Sequence, residues 1–546
     1  MQESEIVHLV GLLALLALGI AGASALLALR FHPLRSLAWL WRRRGTPPRD
    51  PPKALGLLIV ITAASSGAGA WVGAATAIAL GGPGAMPWLW GFALCIASLR
   101  MVEVLLSRTN PPGQASGEVP QHLPKRLWLE KSNTSRVMAI GAALMLIANG
   151  TFGLFALHGQ GLAEIAQSAF PESRSNLLLF AALIGMIFSA SYRTWQWMPW
   201  VAALAWLLAL GVALMGCSVD FGRTVSALLH SLEDATSGSA AMGAFSGALV
   251  SEILGSALIH AAWPIAFPLG SDGPLGSISE TQSARAGLIP VGAAFLQVIF
   301  LTVLGLAFIG TGAFSQRSQG ERGLAEVLFL DAPFESASQR REAERLWTGY
   351  LRIQEGRARA RPLHIATERG MIDAPEFVDA SGNPADFAAR IEKGLVRALL
   401  VPDAQGALSP IAAERIAQFR VRGKMLLRGG ALVTNTLQRI ASDLSLRLGI
   451  AAAIVLSSIA CAAWGIALGR LSSSPPLSLI LRFLPSLSFG LAGLITWPPS
   501  PSLALIPSGA LALLCVRHIR EASHLAKTIY RRHTHSPKPA LDSFNT

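Results

Sequence analysis

The sequence predicts an all-α integral membrane protein of about eleven transmembrane helices that also carries one soluble insert. Its residues are 52% hydrophobic and 14% charged, and the mean hydropathy is +0.48, which excludes an ordinary soluble protein. Apolar runs long enough to cross a bilayer recur along the chain. Between residues 315 and 440, charged residues of both signs become dense, which indicates a soluble domain inserted between two spans.

The predicted spans are placed by the centres of their apolar runs. These centres are Leu15, Ala68, Phe92, Leu146, Ile184, Leu207, Val250, Phe300, Val455, Leu487 and Leu511. The first run follows acidic residues and precedes Arg30, whereas a signal peptide has a basic front and a shorter apolar core. We therefore predict that the first run is retained as a span.

Basic residues between the runs predict the orientation. Lys and Arg cluster after the first span, after the third span and in the C-terminal tail. With eleven spans these segments share one side, which the positive-inside rule assigns to the cytoplasm. The N-terminus is then outside and the C-terminus cytoplasmic, in the cell inner (cytoplasmic) membrane. These segments also explain the net charge of +13, so the expected partner is the lipid bilayer and not a nucleic acid.

Four regions follow from this pattern. Residues 1–314 hold the first eight spans, 315–440 form an extracytoplasmic insert, 441–518 hold the last three spans, and 519–546 form a basic cytoplasmic tail. The insert is expected to mix helix and strand, and it is a candidate surface for an extracytoplasmic protein partner. It shows neither a metal-ligand spacing nor a nucleophile motif. We therefore expect no enzyme activity and no cofactor.

A glycine-rich stretch interrupts the second apolar run. It begins Ser65-Ser66-Gly67-Ala68-Gly69, and two glycines within three residues make it easy for a helix to unwind. Transporters use such breaks, because the amides of a half-helix N-terminus bind an anionic group and the freed carbonyls bind a cation. The same glycines would equally serve close helix packing. We predict that residues 67–70 are non-helical.

The residues after this stretch resemble a family signature. Residues 75–85, ATAIALGGPGA, with Trp88 and Trp90, resemble the signature of the alanine or glycine:cation symporters, the sodium:alanine symporter family of the amino acid-polyamine-organocation superfamily. The resemblance implies eleven spans in the inverted-repeat fold of the leucine-transporter type, with discontinuous helices. It also implies secondary active, cation-coupled symport of a small amino acid of the alanine or glycine class. Ala68 and Ala70 replace the family's threonine and asparagine, so the chain resembles a divergent member.

Weaker matches follow in the family's order and complete the implied substrate site. Residues 243–248 (GAFSGA) resemble the family's G-G-F-A-G-A, and Trp464 matches a tryptophan of the eighth core helix. The substrate contacts that the resemblance implies are Gly67, Ala68, Gly69, Ala70, Gly243, Phe245, Gly247 and Trp464. Amides at Gly67 and Gly69 would face the substrate carboxylate, and Phe245 and Trp464 would line the side-chain pocket.

The coupling ion stays open between sodium and the proton, and no metal ligands are assigned. Polar side chains at the family's sodium site are replaced by Ala70, Ile459 and Ala460. Glu252 and His260 lie well inside a span, where an ionisable residue is a functional candidate, so they are the candidates for proton coupling. Glu252 leads, although it would equally serve as a structural acid hydrogen-bonded to a neighbouring helix.

Other polar residues near the predicted site are placed outside it. Ser457 and Ser458 precede the position of the family's threonine pair and are expected to point elsewhere unless the helix register shifts. Arg100 and Glu103 end the third span and are expected to extend their charged groups to the membrane interface.

The missing polar side chains also support a second function from another class. The chain would then be a transporter-derived protein that no longer moves solute and acts as a sensor or assembly partner through its external insert. Retention of both glycine-rich breaks favours transport over this alternative.

Overall fold

A computed structural model provides the structure of this chain. The described residues are 3–29, 51–107, 123–130, 132–190, 197–237, 240–241, 280–324, 327–331, 346–358, 364–367, 370–402, 408–411, 416, 418–427, 429–469, 471–472, 474–494 and 501–524.

Within these residues the chain is mostly helical. In chain order the helices are α1 (Glu3–Ala28), α2 (Pro51–Ala64), α3 (Ala68–Gly81), α4 (Ala85–Ser107), α5 (Leu123–Leu129), α6 (Asn133–Ala148), a π-helix π1 (Asn149–Gly159), α7 (Gln160–Ala169), α8 (Arg174–Ala190), α9 (Met198–Val219), α10 (Phe221–Asp234), α11 (Glu280–Gly310), α12 (Gly429–Gly469), α13 (Pro475–Leu491) and α14 (Pro501–Arg517). Each predicted span centre lies in one of these helices except Val250, which is outside the described residues.

Six helical segments of the described chain are long and apolar enough to cross a membrane, and a bent pair adds a seventh. The six are Ala85–Leu106, Asn133–Ala169, Pro171–Ala190, Met198–Val219, Val291–Gly310 and Gly429–Gly469. Residues 16–28 and 475–491 form shorter apolar helices. This pattern is that of a multi-pass membrane protein.

The bent pair confirms a break in the second span but moves its position. The segments Leu58–Ala64 and Ala68–Gly81 meet at 58°. The non-helical residues are 65–67, whereas the predicted non-helical stretch was 67–70, and that prediction is wrong for residues 68–70. Helix α3 resumes directly after Gly67, its N-cap, and the Ala70 amide donates to the Gly67 carbonyl at 2.9 Å.

Two further irregularities lie in the helices that contact α3. The long span at residues 133–169 contains the 11-residue π1 in its middle. Wide turns of this kind are rare, usually a single turn long, and frequent at functional sites. Helix α12 is kinked at Ala441 and Ser442, where Ser442 adopts a φ of 55°. The Ser445 hydroxyl accepts from the Ala441 amide at 3.0 Å and so stabilises the kink.

Two charged residues of α4 are buried, which corrects an expectation from the sequence. Arg100 is 0% exposed and Glu103 is 2% exposed, so neither extends to the membrane interface. Helices α1 and α11 pack against α4, and α14 packs against α1. The two side chains lie one turn apart on α4, and their opposite charges attract one another.

Between α11 and α12 the described chain forms ten strands. They are β1 (Arg317–Gly323), β2 (Leu328–Leu330), β3 (Gly349–Gln354), β4 (Arg357–Ala358), β5 (His364–Thr367), β6 (Gly370–Val378), β7 (Phe387–Glu392), β8 (Leu395–Pro402), β9 (Leu408–Ile411) and β10 (Arg420–Leu426). One sheet has the order β1-β10-β6-β5-β2 and the other β4-β3-β7-β8-β9, with antiparallel pairing throughout. Strands therefore dominate where a mixture of helix and strand was expected.

The two sheets share one hydrophobic core. The rings of Phe377 in β6 and Phe387 in β7 meet edge to face with centroids 5.6 Å apart, which joins the sheets. The first and last strands pair along their full length, from Arg317 opposite Leu426 to Gly323 opposite Arg420. The chain thus enters and leaves the insert through one two-stranded ribbon. The domain limits of 315 and 440 stay a prediction.

An ion pair on this ribbon gives the insert a testable pH dependence. Hydrogen bonds from Arg422 lower the pKa of Glu321 below its ordinary value, and the Arg422 Nε donates to Glu321 at 2.9 Å. A carboxyl with a lowered folded pKa stabilises the fold above its unfolded pKa of about 4.3, and this contribution is lost as the pH falls through the folded value. The pair is one-third exposed, so we expect at most about 1 kcal/mol.

We expect amide protection factors in β1 and β10 to fall as the pH drops below about 4.3. Glu321→Gln should remove this dependence, and Glu355→Gln, an exposed matched control, should keep it. Hydrogen exchange of the full-length protein measures both. Equal pH dependence in wild type and Glu321→Gln would contradict the prediction.

Candidate functional site

The first amides of α3 are bonded to side chains from other helices. The Ala68 amide donates to the Ser457 hydroxyl oxygen of α12 at 3.0 Å. The Gly69 amide donates to His158 Nδ1 of π1 at 3.4 Å, a long hydrogen bond. Residues 67–70 are all buried. The N-terminus of α3, where negative charge is favoured, therefore faces α12 and π1 inside the protein.

The carbonyls released by the break also have donors. The Ser65 carbonyl accepts from the Gln297 side-chain amide of α11 at 2.8 Å, and the Ser66 carbonyl accepts from the Trp71 indole at 3.0 Å. The two serine hydroxyls bond back to α2, as the Ser65 hydroxyl does to the Ile61 carbonyl at 2.8 Å. Buried backbone groups in a membrane need hydrogen-bond partners. The break meets this need with defined donors, one of which lies on α11.

Close approach explains why glycine occupies both positions. A Cβ on Gly67 would lie 2.5 Å from the His158 ring, and a Cβ on Gly69 would lie 2.9 Å from the Leu157 carbonyl oxygen. On the other side, a Cβ on Gly161 would lie 3.0 Å from the Ala68 carbonyl. The sequence offered two roles for these glycines, close helix packing and presentation of backbone amides. In the structure both roles occur at the same break.

The structure brings only some of the predicted site residues together. Gly67, Ala68, Gly69 and Ala70 are contiguous at the break. Trp464 is 1% exposed and packs on Gly150 at the start of π1, about 10 Å along α12 from Ser457. The other predicted residues lie outside the described residues and stay predictions: Gly243, Phe245, Gly247, Glu252 and His260.

Three residues at the break were not assigned a role from the sequence: Ser457, His158 and Gln297. Ser457 was expected to point elsewhere unless the helix register shifts, and its hydroxyl in fact accepts from the Ala68 amide. Ser458 does point elsewhere, to the Ala181 carbonyl of α8 at 2.9 Å. His158 and Gln297 are 0% and 3% exposed. The rule that marks ionisable residues inside spans would have selected His158.

The break can bind either sign of charge only by exchanging partners. A carboxylate at the N-terminus of α3 would take over the amides now bonded to Ser457 and His158. A cation would need oxygens, and those at the break include the Ser457 hydroxyl and the Ser65 and Ser66 carbonyls. In the part of the chain that the structure describes, no group of three or more His, Cys, Asp or Glu could hold a metal ion.

A second space lies beside Trp71 on the same helix. It is a narrow apolar cavity between α3, α9, α11 and the first arm of α12, with room for about one water-sized group. Its lining residues are Trp71, Ala209, Val212, Ala213, Leu304, Ala307, Phe308, Val433, Thr436, Leu437 and Ile440. This lining suits a hydrophobic group, whereas the break suits a charged one.

Part of the chain that contains the break matches the model of a known protein family. The model of the sodium:alanine symporter family matches residues 7–257, which include the break, π1 and the predicted Gly243–Gly247 segment. Over these residues the chain is similar to the sodium:alanine symporter family, from whose motif it departs at Ala68 and Ala70. The match ends before the β-strand insert.

Two curated relatives agree with this family. Both are named "uncharacterized transporter" and come from Haemophilus influenzae. One is 24% identical over 312 residues, covering 53% of this chain and 63% of the relative. The other is 28% identical over 193 residues, covering 33% and 38%. The chain thus spans less than two-thirds of the length of either relative.

Removal of the Gln297 amide tests how strongly α11 stabilises the break. Gln297→Leu deprives the buried Ser65 carbonyl of its donor, which costs about 1–3 kcal/mol. We expect a lower melting temperature of the full-length protein in detergent. Gln167→Leu, at an exposed position on α7, is the matched control and should melt like wild type. Identical melting of both variants would show that the bond contributes nothing.

Proposed function

We propose that this protein is a secondary active transporter that carries a small amino acid of the alanine or glycine class by cation-coupled symport. The observation that carries the proposal is the broken span, in which the buried N-terminus of α3 meets π1 and α12. The family match over residues 7–257 and the transporter names of the relatives support it.

The proposed binding step follows from the amide partners. A substrate carboxylate enters at residues 67–70 and accepts hydrogen bonds from the Ala68 and Gly69 amides. Ser457 and His158 give up these amides and become available to the bound substrate. Trp464 and Phe245 line the side-chain pocket in this proposal. The carboxylate exchanges with existing acceptors, so the amides are not left unbonded between transport cycles.

Alternating access needs the break to remain a joint between two half-helices. Helices α2 and α3 meet at 58°, and residues 65–67 between them are non-helical. Substrate at the N-terminus of α3 would bind α3, π1 and α12 at once. Movement of these elements against the rest of the bundle would then open the site to one side or the other.

The finer architecture belongs to the same proposal. It comprises eleven spans in an inverted-repeat fold of the leucine-transporter type, in the cell inner membrane, with the N-terminus outside and the C-terminus cytoplasmic. The insert at 315–440, between the spans of 1–314 and those of 441–518, then lies on the outer side of the membrane. It remains a candidate surface for a protein partner. The tail of 519–546 is cytoplasmic. Cysteine labelling in the insert of intact cells would support this orientation, and labelling only after permeabilisation would contradict it.

Uptake into proteoliposomes tests the function. The purified full-length protein is reconstituted, and labelled alanine and glycine are offered under a sodium gradient and, separately, under a proton gradient. Accumulation under either gradient supports symport and identifies the cation. Binding without accumulation under both gradients would instead support the transporter-derived sensor or assembly partner, and absence of both would overturn the proposal.

A further inference from the structure

His158 is an ionisable side chain in the interior of a membrane span. It lies near the end of π1, within the apolar span of residues 133–169, and it is 0% exposed. Ionisable residues at such positions are rare and usually mark a substrate or proton pathway. The ring is in direct contact with the break, because a Cβ on Gly67 would overlap it.

The hydrogen bond from Gly69 defines the charge state of this ring. The Gly69 amide donates to Nδ1, so Nδ1 carries a lone pair and the ring is neutral, with its proton on Nε2. A protonated ring has N–H groups on both nitrogens and cannot accept. Protonation in the present arrangement would place the Nδ1–H against the Gly69 N–H. In the structure without a bound anion, Nδ1 therefore acts as a hydrogen-bond acceptor.

A carboxylate at the N-terminus of α3 reverses this preference. It would accept from the Gly69 amide, which no longer needs Nδ1, and also from a protonated Nδ1–H. A hydrogen bond between a cationic donor and a carboxylate is stronger than one between neutral groups. We propose that His158 takes up one proton together with each substrate carboxylate that binds at the break. This inference rests on the proposed function and assigns the coupling ion.

In the part of the chain that the structure describes, the charged and titratable groups on the elements packed against π1 are as follows. Helix α3 carries none. Glu164 of α7 accepts from the Gly430 amide, Arg439 of α12 donates to the Thr311 carbonyl, and Arg136 of α6 lies over Trp128. Asp443 and Arg447 of α12 are exposed. The other titratable groups on the described helices packed against π1 lie beside further residues: Cys461 beside Gly185, Arg482 beside Gly469, Cys515 near Glu103, and Arg517 beside Met138.

The exchange gives a complete proton cycle. The proton joins Nδ1 from the solution on the side from which substrate enters, and the Gly69 amide transfers from Nδ1 to the carboxylate. When the carboxylate leaves on the other side, the amide returns to Nδ1 and the proton departs with the substrate. One positive charge therefore accompanies each zwitterionic amino acid.

Proton uptake on substrate binding tests the inference. Alanine is added to the purified full-length protein in weakly buffered solution, and the proton change is read with a pH indicator. We expect up to one proton per bound alanine, and an affinity that falls by up to tenfold per pH unit where His158 is neutral in the free protein. His158→Gln should bind alanine without proton uptake and with a flat pH profile. His230→Gln, on exposed α10, is the matched control and should behave like wild type.

Each outcome separates this inference from the proposed function. Wild type that binds and accumulates alanine without proton uptake would overturn the His158 inference and leave symport intact. Absence of alanine and glycine binding would overturn both. If His158→Gln does not fold, Glu252→Gln replaces it: loss of proton uptake in that variant assigns the proton to Glu252 and overturns the inference, whereas retained uptake supports His158.

Discussion

Arg100→Met is expected to abolish most accumulation of folded protein, although the change keeps the unbranched stem of the side chain. Arg100 and Glu103 are both buried in the core of the helical part, and their charges attract one another. Removal of Arg100 leaves the Glu103 carboxyl buried without the positive charge that attracts it, and breaking a buried pair of this kind costs about 3–5 kcal/mol. Such a loss is a large fraction of the stability of a typical domain.

The paired change should reverse the loss. Arg100→Met combined with Glu103→Leu removes both charges and fills similar volume with apolar groups, which is often neutral or stabilising. Size-exclusion chromatography of solubilised full-length protein and its melting temperature measure the effect. Arg352→Met, at an exposed position of β3, is the matched control and should accumulate like wild type. Equal yields of the Arg100 and Arg352 variants would show that the buried pair is dispensable.

The burial of this pair shows what sequence patterns leave undetermined. The apolar run of α4 was predictable from composition, and so was its end near two charged residues. Whether those residues meet water depends on which helices cover them. Here α1 and α11 pack against α4, and α14 packs on α1 from the far end of the chain. Local sequence carries no information on such long-range packing.

The break illustrates the same limit at finer scale. Two glycines within a span predicted that the helix is interrupted, and this is confirmed. The residue at which helix resumes depends on acceptors for the first amides. Those acceptors come from His158, 89 residues away, and Ser457, 389 residues away. The orientation of α12 about its own axis places Ser457 on the side that faces the break. This orientation also depends on packing between helices.

Glycine at position 69 can be tested directly, and we expect Gly69→Ala to reduce amino acid uptake by more than tenfold. The added Cβ would lie 2.9 Å from the Leu157 carbonyl oxygen and 3.0 Å from its carbon, so backbone rather than a flexible side chain must move. Overpacking of this kind costs about 1–3 kcal/mol. It also pushes α3 away from π1, which lengthens the 3.4 Å hydrogen bond from the Gly69 amide to His158.

A matched control separates this effect from a general intolerance of alanine in spans. Gly91 lies in α4 at an exposed position, and a Cβ there would have no atom within 4 Å. Gly91→Ala should therefore transport at the wild-type rate and be slightly more stable, because alanine favours a helix over glycine by about 1 kcal/mol. Uptake is normalised to the amount of folded protein in the liposomes. Wild-type uptake by Gly69→Ala would contradict the prediction, since it would mean that close contact between α3 and π1 is not needed for substrate to bind at the break.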